Sequence, residues 1–299
     1  MSKVAAVDIG TNSVRLLIVD DDGRTLARPM HMTRLGQDVD VTGRLAAEAI
    51  ARTCAVLAEY RALLAEQGVT RVRATATSAA RDAANSQEFF DAAEQALGVR
   101  PELLGGDEEA RLSFRGATAD LAASAGPFLI IDLGGGSTEL VLGASEPEAL
   151  VSLQLGCVRM TERHLKSDPP TPSELAACFA DVERTLTGVG IATARAKRVI
   201  GLAGTVTALA GMALGLREYD ASKTHHSSLT LAQVEASFER LSRASVEARR
   251  AMLTQPKRAE IIVGGAVVLL QLMRHFALGE LLVSEHDILD GLAASLRRA

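Results

Sequence analysis

Two short stretches of this sequence couple an acid to a run of small residues. Asp8-Ile9-Gly10-Thr11-Asn12-Ser13 aligns without gaps on Asp132-Leu133-Gly134-Gly135-Gly136-Ser137, and the match extends to Leu16 on Leu140. Each copy reads as an apolar strand, an Asp-apolar-Gly step, a small-residue turn ending in Ser, and a second apolar strand. A generic hairpin needs about two turn residues; both loops are longer and open with the same Asp, which marks an internal repeat. A glycine-rich turn after a strand brings several backbone N–H groups to one point, because glycine permits close approach and positive φ. Such a nest binds anions, phosphate above all. The hydroxyls of Thr11, Ser13, Ser137 and Thr138 add donors. The carboxylates of Asp8 and Asp132 cannot attract phosphate, but they suit Mg2+ or its water shell, which takes one or two carboxylates plus phosphates. Gly201-Leu202-Ala203-Gly204-Thr205-Val206-Thr207 is a third small-residue turn. It follows a strand and opens a helix, so the amides at Gly204 and Thr205 form a further anion site.

Hydrolysis of a phosphate chain needs an in-line water, a group to orient or deprotonate it, and positive charge for the transition state. The candidate carboxylates are Asp107, Glu108, Glu109 and Glu139. Acids in a first helical turn also simply complement the macrodipole, which is the competing reading for Asp107 and Glu108. Glu139 directly follows the second glycine loop. Its repeat partner is Arg15, so the two copies have diverged beside the phosphates, as suits a site where one half supplies the carboxylate. Among the cations, Arg81 stands out because it follows the small-residue turn Thr75-Ala76-Thr77-Ser78-Ala79-Ala80. Arg195, Lys197, Arg198, Lys223, Lys257 and Arg258 read as solvated surface charges, and His225-His226 as a loop feature without metal-ligand spacing to the other histidines.

The elements that must position these residues form an α/β pattern. Val4–Ile9 and Val14–Val19 read as a hairpin, extended by a third strand through Leu35. Helical spacing runs from Leu45 to Gln67, Ser86 to Leu97 and Asp107 to Leu121, with strands at Val69–Thr77 and Val99–Leu104. Ser124-Ala125-Gly126-Pro127 reads as a boundary, giving domains 1–125 and 126–299, with the final helix of about 287–298 packing back on the first. The second half carries strands at Phe128–Asp132, Leu140–Leu142, Leu150–Leu155, Arg198–Leu202 and Glu280–Val283. Its helices cover Arg159–Lys166, Ser173–Leu186, Thr205–Leu214, Leu231–Leu241 and Ala259–Phe276, and residues 217–229 read as irregular.

Of 299 residues, 47% are hydrophobic, enough for a substantial core and incompatible with disorder. Aromatics are only 3%, with no Trp, which argues against base-stacking nucleic-acid binders. The net charge of −5 offers no long-range attraction to nucleic acid or to anionic membranes. No stretch approaches the ~18 uninterrupted apolar residues of a membrane span. Cys54, Cys157 and Cys178 are an odd, scattered set, which fits a reducing, cytoplasmic setting.

The chain resembles the exopolyphosphatase / guanosine pentaphosphate phosphatase (Ppx/GppA) family of the actin-like ATPase superfamily. The resemblance is carried by residues 6–13, by Ala74-Thr75-Ala76-Thr77-Ser78-Ala79-Ala80-Arg81-Asp82-Ala83-Ala84-Asn85, and by Glu108-Glu109-Ala110-Arg111. It continues in residues 131–140, in Leu155-Gly156-Cys157-Val158-Arg159-Met160 and in Gly201 to Thr207. It implies two ribonuclease-H-like domains with mixed sheets flanking a central cleft, and Mg2+-dependent release of terminal phosphate from inorganic polyphosphate. Residue by residue it implies Glu109 as catalytic base, Glu139 as the carboxylate that positions water or metal, and Asp132 as a metal-associated acid. It further implies Arg81 beside the phosphates and phosphate binding at residues 10–13 and 134–138. With Asp8, the expected metal set is Asp8, Asp132 and Glu139. A homodimer and a cytoplasmic location are also expected. The chain stops without the additional helical domain of longer members, which points to shorter polyphosphate chains. Two departures concern Ile288-Leu289-Asp290-Gly291, where the family has Leu-Arg-Glu-Gly, and Gly105-Gly106-Asp107, where it more often has Ser-Gly before a variable residue. The alternatives are hydrolysis of pppGpp, which the same site could perform, and a non-catalytic phosphate or nucleotide sensor. The retained acids argue against the sensor.

Overall fold

The computed structural model describes residues 3–298. The chain forms two compact units: residues up to Gly116 together with the segment from His286, and residues Ala117–Glu285. In the first unit the strands are β1 (Lys3–Ile9), β2 (Ser13–Asp20), β3 (Thr25–Ala27), β4 (Met30–Met32), β5 (Arg71–Ala76) and β6 (Glu102–Leu103). Its helices are α1 (Val39–Thr42), α2 (Ala47–Glu66), α3 (Ser78–Asp82), α4 (Ser86–Leu97) and α5 (Gly106–Thr118). The sequence boundary at 125/126 falls later than this division, because the Gly-Pro turn marks a loop of the second unit while α5 runs across the junction.

The second unit carries β7 (Phe128–Leu133), β8 (Thr138–Gly143), β9 (Pro147–Leu153), β10 (Arg198–Leu202), β11 (Ser228–Thr230) and β12 (Glu280–Val283). Its helices are α6 (Cys157–His164), α7 (Pro172–Leu186), α8 (Ala203–Ala213), α9 (Ala221–Thr224), α10 (Leu231–Ser242), α11 (Val246–Met252) and α12 (Ile262–His275). The last helix, α13 (Ile288–Arg298), returns to the first unit.

Both sheets are wound alike. The first runs β3-β2-β1-β5-β6, with β4 also on β2; the second runs β11-β12-β10-β7-β8-β9. In each, an antiparallel hairpin leads into a parallel partner: β1 pairs with β2 and then β5, and β7 with β8 and then β10. This mixed, repeated order is the ribonuclease-H-like topology of actin-like ATPases.

Strand alternation sorts the apolar side chains of the first sheet onto two faces. Ala5, Val7, Ile9, Val14, Leu16 and Ile18 meet Leu57, Tyr60 and Leu64 of α2 and Phe89, Phe90 and Leu97 of α4. Val4, Ala6, Leu17 and Val19 meet Ile288, Leu289, Leu292 and Ala293 of α13, with Leu112 of α5. In the second unit α12 is apolar nearly all round and buried accordingly. The third strand drawn through Leu35 is instead β3 and β4, which stop at Met32. Leu35 is buried in a turn that hydrogen-bonds back to the first glycine loop, Thr33 and Arg34 N–H to Asn12 O and Gly36 N–H to Thr11 O. The stretch read as irregular contains α9 and β11, both too short to leave a periodic signal.

Candidate active site

The two glycine loops have the same construction. Gly10 N–H donates to Ser13 O at 2.9 Å, and Gly134 N–H donates to Ser137 O at 3.0 Å. The strands continue in equivalent register, Asp8 opposite Arg15 and Asp132 opposite Glu139. The start of α6 fixes the second loop: Cys157 N–H bonds Gly134 O, Val158 and Arg159 N–H bond Gly135 O, and Arg159 Nε bonds Gly136 O at 2.7 Å. Its glycine carbonyls are thereby consumed. Among the described residues, the amides of Gly135 and Gly136 donate to no backbone carbonyl, as an anion nest requires. Gly156 is what lets α6 approach: a Cβ there would lie 2.2 Å from Gly135 O and 2.5 Å from Gly136 N. In the first loop, the buried Asn12 Nδ2 has no hydrogen-bond partner.

The cross-strand partner of each Asp decides its chemistry. In the first unit Arg15 Nη2 binds Asp8 Oδ2 at 2.7 Å, and Arg15 also pairs with Asp287, which lies just before α13. Arg28 grips Asp290 with two bonds, 2.9 and 2.8 Å, so acids and bases alternate through this cluster. Burial opposes ionisation of Asp290, but the Arg28 contacts outweigh it and hold that carboxyl below its usual range. For Asp8 burial dominates and pushes the carboxyl up, with Arg15 opposing. Asp8 Oδ1 is buried with no hydrogen-bond partner, so it is left to accept from a bound ligand or water while Oδ2 stays on Arg15.

In the second unit the equivalent positions hold two acids. Asp132 and Glu139 are directly opposed on β7 and β8, and both are buried. Ser152, next across on β9, donates to Glu139 Oε1 at 2.7 Å. Like charges directly opposite are unfavourable, and two carboxylate groups at the end of a glycine loop are the hard oxygen set that a divalent cation such as Mg2+ takes. These residues fit a metal.

Glu109 and Arg81 meet inside the first unit. Glu109 lies in the first turn of α5, with its N–H on Gly105 O, and its carboxylate is 3.3 Å from Arg81 Nη1. Arg81 Nη1 also donates to Leu104 O at 2.9 Å, while its buried Nη2 has no partner. A guanidinium nitrogen left without an acceptor in a buried position is costly, and a phosphate oxygen would satisfy it. Glu108 is engaged by Arg73, which also holds Glu102, and Asp107 is exposed.

Not every predicted donor faces a loop. Thr138 Oγ1 donates to Leu155 O at 2.6 Å in the core. Thr205 is buried, its hydroxyl directed at the Cys157 thiol and packed where a Cβ on Gly265 would sit. Thr205 lies in the first turn of α8, where its backbone amide, rather than its hydroxyl, is placed to meet a ligand. The Gly204 turn is strained, since Ala203 has φ +70°, a region non-glycine residues rarely adopt. The Arg258 guanidinium covers Gly204, and a Cβ there would come within 1.9 Å of it. Sequence reading left Arg258 among the surface charges; only tertiary packing brings it to this loop.

Two sheets of one winding, each ending its first hairpin in a glycine nest beside an acid, define a phosphate-handling protein of the actin-like ATPase class. Residues 17–297 match the Ppx/GppA phosphatase family, and the chain belongs to that family. It is 44% identical to exopolyphosphatase 2 of Mycobacterium tuberculosis, with 99% of each chain covered. The crystal structure of the Aquifex aeolicus Ppx/GppA family member superposes with a TM-score of 0.82 at 33% identity, covering 99% of this chain and 98% of that one. A crystal structure of an exopolyphosphatase from Cytophaga hutchinsonii gives a TM-score of 0.91 at 26% identity, again covering 99% and 98%. Members of the family generally depend on a divalent metal. Among the described residues no helix is long and apolar enough to cross a membrane.

Proposed function

We propose that this chain is a Mg2+-dependent exopolyphosphatase that releases the terminal phosphate of inorganic polyphosphate. The observation that carries the proposal is the opposed pair Asp132 and Glu139 at the mouth of a loop whose carbonyls are turned away into α6. The full-length similarity to a protein named exopolyphosphatase 2 supports the choice of substrate.

Glu109 accepts a proton from the attacking water. Its carboxylate is oriented by Arg81 Nη1, which leaves Nη2 to donate to a phosphate oxygen. The water oxygen bonds to the terminal phosphorus in line, the P–O bond to the next unit breaks, and the shortened chain leaves as the anion. Amides at Gly135 and Gly136 donate to oxygens whose charge grows in the transition state; one such donor is commonly worth about 10²–10³ in rate. The loop at 10–13, with the Asn12 amide, holds phosphate in the first unit. Asp132 and Glu139 would hold Mg2+, which would supply charge neutralisation of the phosphate oxygens. The three cysteines are free thiols, which supports a reducing, cytoplasmic setting.

The test is a panel of short polyphosphates, long polyphosphate, ATP and pppGpp, each with Mg2+ and with excess chelator. Phosphate release from polyphosphate that is lost with the chelator and regained with Mg2+ supports the proposal. Turnover confined to pppGpp would transfer the site to the nucleotide, and binding without any turnover would make the protein a sensor.

A further inference from the structure

We propose that Asp120, His225 and His226 of the second unit form a binding site for a divalent transition-metal ion of the zinc class. The proposal is independent of the phosphate chemistry. It uses other residues, and imidazole nitrogens select Zn2+, Co2+ or Ni2+ rather than Mg2+.

His225 Nε2 lies 2.9 Å from Asp120 Oδ2, and His226 Nε2 lies 3.4 Å from the same oxygen. All three ligand atoms fall within 4.8 Å of one another. A tetrahedral ion with ligands at ~2.0–2.2 Å spaces them by about 3.3 Å, so the donors stand close to the edges of such a polyhedron. Consecutive side chains on extended backbone point to opposite sides, yet these two rings stack with centroids 3.8 Å apart and planes 25° apart. The cause is His226, whose φ of +61° is left-handed. Its N–H is fixed on Val283 O at 2.8 Å. A non-glycine residue held there by its surroundings is the kind of strain that collects at ligand sites, and here it converges two imidazoles on one carboxylate.

The site fastens both ends of its unit. Asp120 follows shortly after the chain enters the unit at Ala117, and Glu285 is the last residue before it leaves. Glu285 is bound by the same loop: Tyr219 and Thr224 hydroxyls donate to its carboxylate, and its N–H donates to His225 Nδ1 at 3.2 Å. That amide leaves the ring proton of neutral His225 on Nε2, facing Asp120. On metal binding the proton moves to Nδ1, Nε2 takes the ion, and the long Glu285 contact is released. This exchange costs the site part of its affinity. Solvent completes the coordination, since Asp120 and His226 are exposed.

The experiment uses the untagged full-length protein stripped of metal, titrated calorimetrically with ZnCl2, with Co2+ as a spectroscopic probe. Expected are one ion per chain, cobalt d–d absorption in the visible, and a rise in Tm of about 5 °C at saturating zinc. His226→Asn, which tolerates the left-handed backbone, and Asp120→Asn change exposed positions and should each weaken binding at least tenfold with metal-free Tm within about 2 °C of the parent. Absence of zinc binding in the parent protein, or parent-like binding by either variant, overturns the assignment.

Discussion

Replacing Gly156 by alanine tests how the second glycine loop is held. Gly156 has φ −154° and ψ 158°, backbone that alanine adopts freely, so the effect is steric alone. The new methyl would sit 2.2 Å from Gly135 O, 2.4 Å from Gly135 C and 2.5 Å from Gly136 N. Ordinary carbon contacts begin near 3.5 Å, so the loop or the start of α6 must move by about 1 Å. Overpacking of this size costs about 1–3 kcal/mol, which leaves the protein folded. The displaced atoms belong to the peptides proposed to present amides to phosphate, and a 1 Å misplacement at such a site is worth about 10²-fold in rate. Expected, therefore, is a modest fall in Tm with a fall in kcat of about 100-fold, measured by phosphate release from polyphosphate. Gly279→Ala is the control, because a methyl there meets nothing within 4 Å. A folded Gly156→Ala protein with parental kcat would refute the reasoning, since the loop would then have no geometric role.

Three further outcomes follow from the same structure. Glu109→Gln keeps the size of the side chain but removes the proposed base, so kcat should fall by about 10²–10⁴ with KM little changed; steady-state kinetics on a polyphosphate of defined length checks this. Leu292 of α13 is fully buried against β1 and β2, so Leu292→Ala should cost about 2–5 kcal/mol in urea unfolding. Glu174 closes a capping box with Thr171 at the start of α7, and hydrogen bonds from the Thr171 and Lys166 backbones and the Thr171 and Ser167 side chains hold its pKa at about 2. A carboxylate whose folded pKa is depressed contributes stability above its unfolded pKa, near 4.3, and loses it as pH falls toward 2. Glu174→Gln should flatten this acid limb of a Tm-versus-pH curve, and an unchanged limb would contradict it.

Much of the site is local chemistry and therefore legible in the sequence. The repeated Asp-apolar-Gly turn names its own hairpin, and the matched registers of Asp8 with Arg15 and Asp132 with Glu139 follow from it. What stayed hidden depends on distant chain segments. Arg15 reads as a divergent repeat position, but its role comes from Asp287, separated from it by 272 positions. Arg258 covers Gly204 only after the chain folds back at Pro256–Arg258. The hydroxyl of Thr138 reads as a donor to a ligand because sequence gives a residue's type and not its direction; it turns to Leu155 O in the core. The small elements β3, β4, β11, α1, α3 and α9 are shorter than any periodic signal. His225-His226 read as a plain loop because a left-handed residue and a carboxylate 105 positions away are what bring the rings together.

The central claim is that a water is delivered to the last phosphorus of a condensed chain. Hydrolysis of a short, defined polyphosphate in H2(18)O with Mg2+ tests it, with products read by mass spectrometry. The account predicts that each turnover places one 18O in free orthophosphate and shortens the chain by one unit. Label found instead on the remaining chain, or polyphosphate left uncleaved, would contradict it.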